Sequence, residues 1–155
     1  MSSRTSAGAG RTMPWAVPEI VVALFAFLLN LAWEFLQVPF FAGMASMPHW
    51  EGIRLCIQAA GGDTLTVLAA FWITSGLGGT RRWIVRPSYR SGALFVGTAW
   101  LTAMLVELVC VHVLNRWAYA PGMPVVPWLG LGALPAAQWV VLPPVVMGLA
   151  SKQLR

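Results

Sequence analysis

The stretch PEIVVALFAFLLNLAWEFLQVPFF, residues 18–41, decides the fold of this chain. It is a mostly apolar run, and about 20 such residues in a helix cross the ~30 Å hydrocarbon core of a bilayer. The run is too long and too unbroken for the ~10-residue alternating strands of a membrane β-barrel. Pro39 interrupts the helix near its end, because proline has no amide hydrogen to donate. The stretch therefore predicts a transmembrane helix.

Three further apolar segments, at about residues 53–77, 92–114 and 128–150, have the length to span a membrane. Of the 155 residues, 58% are hydrophobic and only 10% are charged, against about 25% charged in soluble domains. The sequence thus predicts a single all-α domain over residues 14–155, an integral membrane four-helix bundle. A small, polar and basic segment, residues 1–13, is predicted to be a disordered tail. The fourth span is predicted to be kinked or broken by its prolines, Pro135, Pro143 and Pro144.

The positive charges predict how the chain lies in the membrane. Eight of the ten Lys and Arg residues fall on one side of the predicted spans, and only Arg54 and Arg116 fall on the other. By the positive-inside rule, both termini are cytoplasmic and the protein is a multi-pass protein of the cell inner (cytoplasmic) membrane. The net charge is +5, but the basic residues lie at helix ends and in one loop. This distribution indicates contact with the lipid bilayer and no binding of nucleic acid.

Three of the five acidic residues, Glu34, Asp63 and Glu107, lie well inside predicted spans, away from the first turn, where Glu19 lies. A charge at the bilayer centre costs roughly 2.5–3.5 kcal/mol on insertion scales, so buried acids in membrane helices usually mark a functional site. We therefore predict that these three carboxyl groups are the catalytic groups of the protein. The alternative is structural, with the acids paired to Arg54 or Arg116 in salt bridges.

Other polar residues cluster at similar depths in the predicted spans. Asn30, Glu34 and Gln37 are spaced four and three apart and share one helix face. Alternating the spans places the polar groups of all four helices in the middle-to-outer layer, which predicts a polar pocket there. The predicted ligand-binding set is Asn30, Trp33, Gln37, Gln58, Trp100, His112, Arg116, Trp117, Tyr119 and Gln138. The alternative is that the amides form interhelical hydrogen bonds and the arginines anchor the helix ends.

The sequence gives no pattern of a metal or cofactor site. His49 and His112 stand alone, without the spacing of zinc or haem ligands, so no metal and no cofactor are expected. Cys56 and Cys110 do not form the CxxC pair of a thiol oxidoreductase. They are interpreted as small buried hydrophobic residues, with a disulfide as the alternative.

The buried acids support three functions. The first is acid–base chemistry on, or binding of, a lipophilic small molecule such as an isoprenoid, in which one acid protonates a double bond and a second carboxylate stabilises the cation. Trp33, Trp100, Trp117 and Tyr119 could add cation–π contacts. The second is a small proton-coupled transporter or cation exporter, a class that commonly works as a homodimer. The third is a non-catalytic accessory subunit, in which the acids only pair helices.

The segment from Glu107 through NRWAYAPGMP, residues 115–124, resembles the acid-then-WxY-then-proline segments of membrane carotenoid cyclases and hydratases. The resemblance covers about 20 of the 155 residues. In architecture alone, four helices with buried acids also resemble the emopamil-binding isomerases. Both resemblances imply a membrane enzyme of the isomerase, cyclase or hydratase type, but the rest of the chain does not match either group, and no family is assigned from them.

Overall fold

The computed structural model describes residues 17–155, so the predicted disordered tail at 1–13 lies outside the described residues. Four long helices dominate the fold. They are α1 (Pro18–Gln37), α2 (His49–Gly78), α3 (Tyr89–Leu108) and α4 (Ala133–Gln153). Short 3-10 helices span Val38–Phe40, Met44–Ser46 and Arg81–Val85, and a π-helical turn, Val109–Val113, extends α3. Two short strands, β1 (Val125–Val126) and β2 (Leu131–Gly132), pair as an antiparallel hairpin.

The helices form a four-membered ring in the order α1, α2, α3, α4, and α4 closes the ring against α1. All four helices are long and apolar enough to cross a membrane, as predicted, and they fit a multi-pass membrane protein. Their outer faces carry exposed large apolar side chains such as Leu24, Leu65, Leu101 and Val140. In a bilayer such side chains contact lipid without cost, since lipid tails are as apolar as leucine.

The fourth helix begins five residues later than predicted. Residues 125–132 form the β hairpin instead of helix, because the prolines before and inside this segment deny it the backbone hydrogen bonds of a helix. Pro135 lies in the first turn of α4, where a missing amide hydrogen costs nothing. The helix is continuous through Pro143 and Pro144 and is therefore not broken there. A kink at these residues stays a prediction.

One end of the bundle carries most of the positive charge. This basic end comprises the start of α1, the end of α2, the loop at residues 79–88, the start of α3 and the end of α4. Its 3-10 helix folds back against the bundle and buries Trp83, which packs on Phe71 and Phe95 with ring centroids 5.7 and 5.4 Å apart. The Trp83 indole also donates to Ser75 Oγ at 3.1 Å. Trp83 is therefore part of the hydrophobic core.

The opposite end, which we call the hairpin end, contains residues 38–48 and 109–132. The chain after α1 and the chain after α3 meet here as a short stretch of extended backbone. The amide of Ala42 donates to the carbonyl of Ala118 at 2.8 Å, and the amide of Ala120 donates to that of Phe40 at 2.9 Å. These bonds fix Tyr119 opposite Phe41. The hairpin end is thus an ordered cap built from two distant segments.

Candidate functional site

Gln138 of α4 lies at the centre of a polar network in the hairpin-end half of the bundle. Its Nε2 donates to Asn30 Oδ1 at 2.8 Å and to Asp63 Oδ2 at 2.7 Å, so one side chain joins α4 to both α1 and α2. Asn30 in turn donates to the carbonyl of Ala26 one turn earlier at 2.8 Å. Asn30 and Gln138 are 1% and 2% exposed, so both amides depend on these partners for hydrogen bonding.

Glu34 lies beside this network. It accepts a hydrogen bond from Gln37 Nε2 at 2.8 Å, one turn further along α1. Asp63 and Gln138 are both close enough to its carboxyl group to interact with it. Glu34 and Asp63 are therefore a pair of adjacent carboxyl groups from two helices, held by amide side chains. Adjacent acids of this kind share protons and titrate as a unit.

Two polar atoms near Glu34 lack partners. Trp33 Nε1 and Gln37 Oε1 are buried, and neither has a hydrogen-bond partner within residues 17–155. One is a donor and the other an acceptor. An unpaired buried polar group costs about 1–3 kcal/mol, and such groups in a folded protein call for an explanation.

Glu107 is the third carboxyl group and is buried near the end of α3. Its Oε1 accepts from the indole of Trp117 at 3.3 Å and from the Tyr119 hydroxyl. Both donors come from the segment that follows the π-helical turn. The chain reverses there through Asn115, whose φ of 47° is left-handed, a conformation that asparagine tolerates better than most residues. The reversal carries Trp117 and Tyr119 back against α3.

Tyr119 is fixed on several sides. Its ring packs on Phe41 with centroids 5.7 Å apart, and a side chain at Gly132 would collide with it, since an added Cβ would lie 3.0 Å from the ring. Glycine at 132 thus permits β2 to pass close to the phenol. Burial, together with the hydrogen bond to Glu107, raises the pKa of Tyr119 above its ordinary value of 10.0. The phenol therefore remains a hydrogen-bond donor at neutral pH.

The three carboxyl groups have no basic partner in the part of the chain that the structure describes, where the one ion pair joins Arg81 to Glu19 at 3.0 Å. The alternative of salt bridges to Arg54 or Arg116 is therefore wrong, and both arginines are exposed. Glu107 lies near enough to Glu34 and Asp63 to interact with both by charge. The three acids nevertheless do not form a group that could hold a metal ion among the described residues.

Four members of the predicted ligand set lie apart from this cluster. Gln58 is exposed because Cys56 and Ala60, two residues to either side, occupy the buried face of α2. His112 and Arg116 are exposed beyond α3, where His112 packs against Gly130. Trp100 is 37% exposed on the outside of α3. Cys56 and Cys110 are both free, so the alternative of a disulfide is wrong.

Some parts of the site could not be predicted from the sequence. The π-helical turn after Glu107 has no signature in the sequence, although such turns often occur at functional sites. The cavities of about 420 and 340 Å³ found on the molecule are lined by residues of the basic end. The predicted polar pocket beside the acids is not one of them.

The comparisons with known proteins give no family. No protein-family model matches the chain, and no curated protein or solved structure shows significant similarity to it.

Proposed function

We propose that this is a multi-pass protein of the cytoplasmic membrane, with both termini cytoplasmic, that performs acid–base chemistry on, or binds, a lipophilic ligand such as an isoprenoid. The observation that supports this is the adjacent pair Glu34 and Asp63 inside a membrane bundle, which has no cationic partner among residues 17–155. Neighbouring acids that share a proton supply one neutral acid and one carboxylate at the same place. The neutral acid can donate its proton to a double bond, and the carboxylate can stabilise the resulting cation and then take a proton from a neighbouring carbon, which restores the shared-proton pair and leaves a neutral product.

Glu107, the third buried carboxyl group, also supports the proposal. Its carboxyl group is oriented by Trp117 and Tyr119, so it can present negative charge to a cation that forms between the helices. The indole and phenol faces next to it would add cation–π stabilisation. In this scheme Glu34 and Asp63 share the transferred proton, Glu107 stabilises charge, and Asn30, Gln37 and Gln138 orient the acids.

The unpaired atoms suggest one further property of the ligand. Trp33 Nε1 needs an acceptor and Gln37 Oε1 needs a donor, and a hydroxyl group satisfies both. Glu34 itself is only partly buried, and its neighbours Phe35 and Leu36 are exposed on the lipid-facing side of α1. A largely apolar molecule with a hydroxyl group could therefore reach this site sideways from the bilayer.

The test is native mass spectrometry with lipid analysis on gently purified protein. Wild type is compared with Glu34→Gln, Asp63→Asn and Glu107→Gln, and with Glu51→Gln, an exposed acid at the start of α2, as the matched control. We expect a discrete co-purified lipophilic compound on wild type and on Glu51→Gln, at least tenfold reduced in the three site variants. An identical set of lipids on all five proteins, with folding intact by circular dichroism, would contradict the proposal.

A proton-coupled transporter is the second candidate, because a carboxyl pair without a counter-ion is also the simplest proton-exchange site. The basic-end half of the bundle argues against it, since Phe71, Trp83 and Phe95 fill the path that an alternating carrier would need. A flux driven by a pH gradient in vesicles, abolished by Glu34→Gln, would favour transport. If cells that carry any of the three amide variants grew like wild type and the variants folded normally, the result would favour a role as a non-catalytic accessory subunit.

A further inference from the structure

A groove between α2 and α3 at the basic end has the features of a site for a phosphate-bearing lipid headgroup. It is an open groove with a volume of about 340 Å³. Arg86, Arg90 and Ser91 line one part of it, and Leu77 and Leu94 line another. Polar groups and apolar walls therefore meet in one groove, which is the pattern that an amphiphile requires.

The arginines of this groove are free to bind an anion. Glu19 is the one acidic side chain at the basic end, and it pairs with Arg81. Within residues 17–155, neither Arg86 nor Arg90 forms a salt bridge, and both are exposed. The groove also contains the first turn of α3, whose positive helix end attracts anions.

Thr74 gives independent evidence for a polar ligand. It lines the groove from α2 and is only 1% exposed. Its Oγ1 has no hydrogen-bond partner within the described residues, although threonine hydroxyls in helices readily bond to the carbonyl one turn earlier, as Thr64 and Thr66 do here. The residue thus brings a buried hydroxyl without a partner to the wall of a groove that Arg86 and Arg90 also line, and such a hydroxyl is available to donate to an anionic oxygen.

We propose that the groove bounded by Thr74, Arg86 and Arg90 binds the phosphate headgroup of an anionic lipid, with the lipid's chains against Leu77 and Leu94. Basic pockets between transmembrane helices are known to select such headgroups. The general distribution of charge in the sequence indicates only diffuse contact with lipid. The structure points to one defined site, separate from the acidic cluster and independent of its function.

The test is titration of the full chain in neutral detergent with phosphatidylglycerol or phosphatidylcholine, followed by native mass spectrometry. We expect one phosphatidylglycerol per chain, held at least tenfold more tightly than phosphatidylcholine. Arg86→Gln/Arg90→Gln should weaken the binding of phosphatidylglycerol about tenfold or more, since each arginine near a lipid phosphate raises the binding affinity severalfold. The matched control Arg82→Gln/Lys152→Gln removes the same charge at the same end, outside the groove lining, and should change binding less than threefold.

Thr74→Val keeps the shape of the side chain and removes its hydroxyl. It should therefore weaken the binding of phosphatidylglycerol severalfold and leave the binding of phosphatidylcholine unchanged. Equal losses in the two charge-removal variants would overturn the proposal and assign the binding to general surface charge. Displacement of the lipid by millimolar inorganic phosphate would also overturn it, because the site would then be one for a soluble phosphate. Equal binding of the two lipids would have the same consequence.

Discussion

The two halves of the bundle are built from the same four helices but are packed by opposite means. Towards the basic end the interior is aromatic and aliphatic, with Phe71, Trp83 and Phe95 in contact and Val22 fully buried beside them. Towards the hairpin end the interior is polar, with Asn30, Asp63 and Gln138 joined by hydrogen bonds. Close packing contributes more to stability in a membrane than single hydrogen bonds do. The difference indicates that the basic-end half contributes more to the stability of the fold, and the polar hairpin-end half is where we propose the chemistry.

The largest effect should come from the packed half. Phe71→Ala removes a fully buried ring of α2 that packs against Trp83. The substitution should lower the free energy of unfolding by about 3–5 kcal/mol. Denaturant unfolding in detergent micelles, followed by tryptophan fluorescence, measures the change. The matched control is Trp72→Ala, the next residue, which is 52% exposed. It should cost less than about 1 kcal/mol, and an equal loss would refute the contrast between core and lipid face.

A smaller loss should follow from Gln138→Leu in the polar half. The substitution keeps the approximate volume but leaves Asn30 and Asp63 without their donor, which should cost about 1–3 kcal/mol. Gln58→Leu, on the exposed face of α2, is the control and should stay within about 0.5 kcal/mol of wild type. If Gln138→Leu were stabilising, the network would be dispensable for the fold and its retention would have to be functional.

The stability of the folded protein should depend on pH in the alkaline range because of Tyr119 at the hairpin end. Its pKa in the folded protein lies above the ordinary 10.0, first because of burial and then because of Glu107. Below about pH 10 both states keep the proton and the contribution of Tyr119 to stability is complete. Above that pH the unfolded chain loses the proton first, so stability falls as pH rises towards the folded pKa.

Tyr119→Phe removes this group, so the difference in thermal stability between wild type and Tyr119→Phe should narrow as pH rises above 10. Thermal unfolding between pH 8 and 11 measures it. Tyr89→Phe, at an exposed position, retains Tyr119 and should keep the slope of wild type. A parallel offset of the Tyr119→Phe curve at every pH would show that the phenol titrates alike in both states.

The smallest effect should come from Arg116→Gln. The side chain is exposed and forms no ion pair within the described residues, so the free energy of unfolding should change by less than about 0.5 kcal/mol. Retention of the co-purified ligand should also match wild type. Loss of the ligand would mean that Arg116 reaches the acids in the ligand-bound protein.

Much of the architecture was predictable because the bilayer imposes simple rules. Four apolar runs of sufficient length predicted four helices, and proline at position 39 predicted the end of the first. The spacing of Asn30, Glu34 and Gln37 predicted their common face, and two of the three are deeply buried there. The predicted start of α4 was wrong, since apolar composition does not distinguish a short hairpin from a helix when several prolines lie close together.

The sequence by itself determined the helices, the depth of each acid along its helix and the shared face of α1, because these depend on local composition and on a period of 3.6 residues. Only the tertiary structure decided which groups meet. Gln138 contacts partners 108 and 75 residues away, and Trp117 and Tyr119 return to Glu107 only after the π-helical turn and the reversal at Asn115. It also decided that Arg54 and Arg116 are exposed and that neither forms a salt bridge within the described residues. Contacts between helices depend on how their faces and loops pack together, and no periodicity within a single helix encodes that.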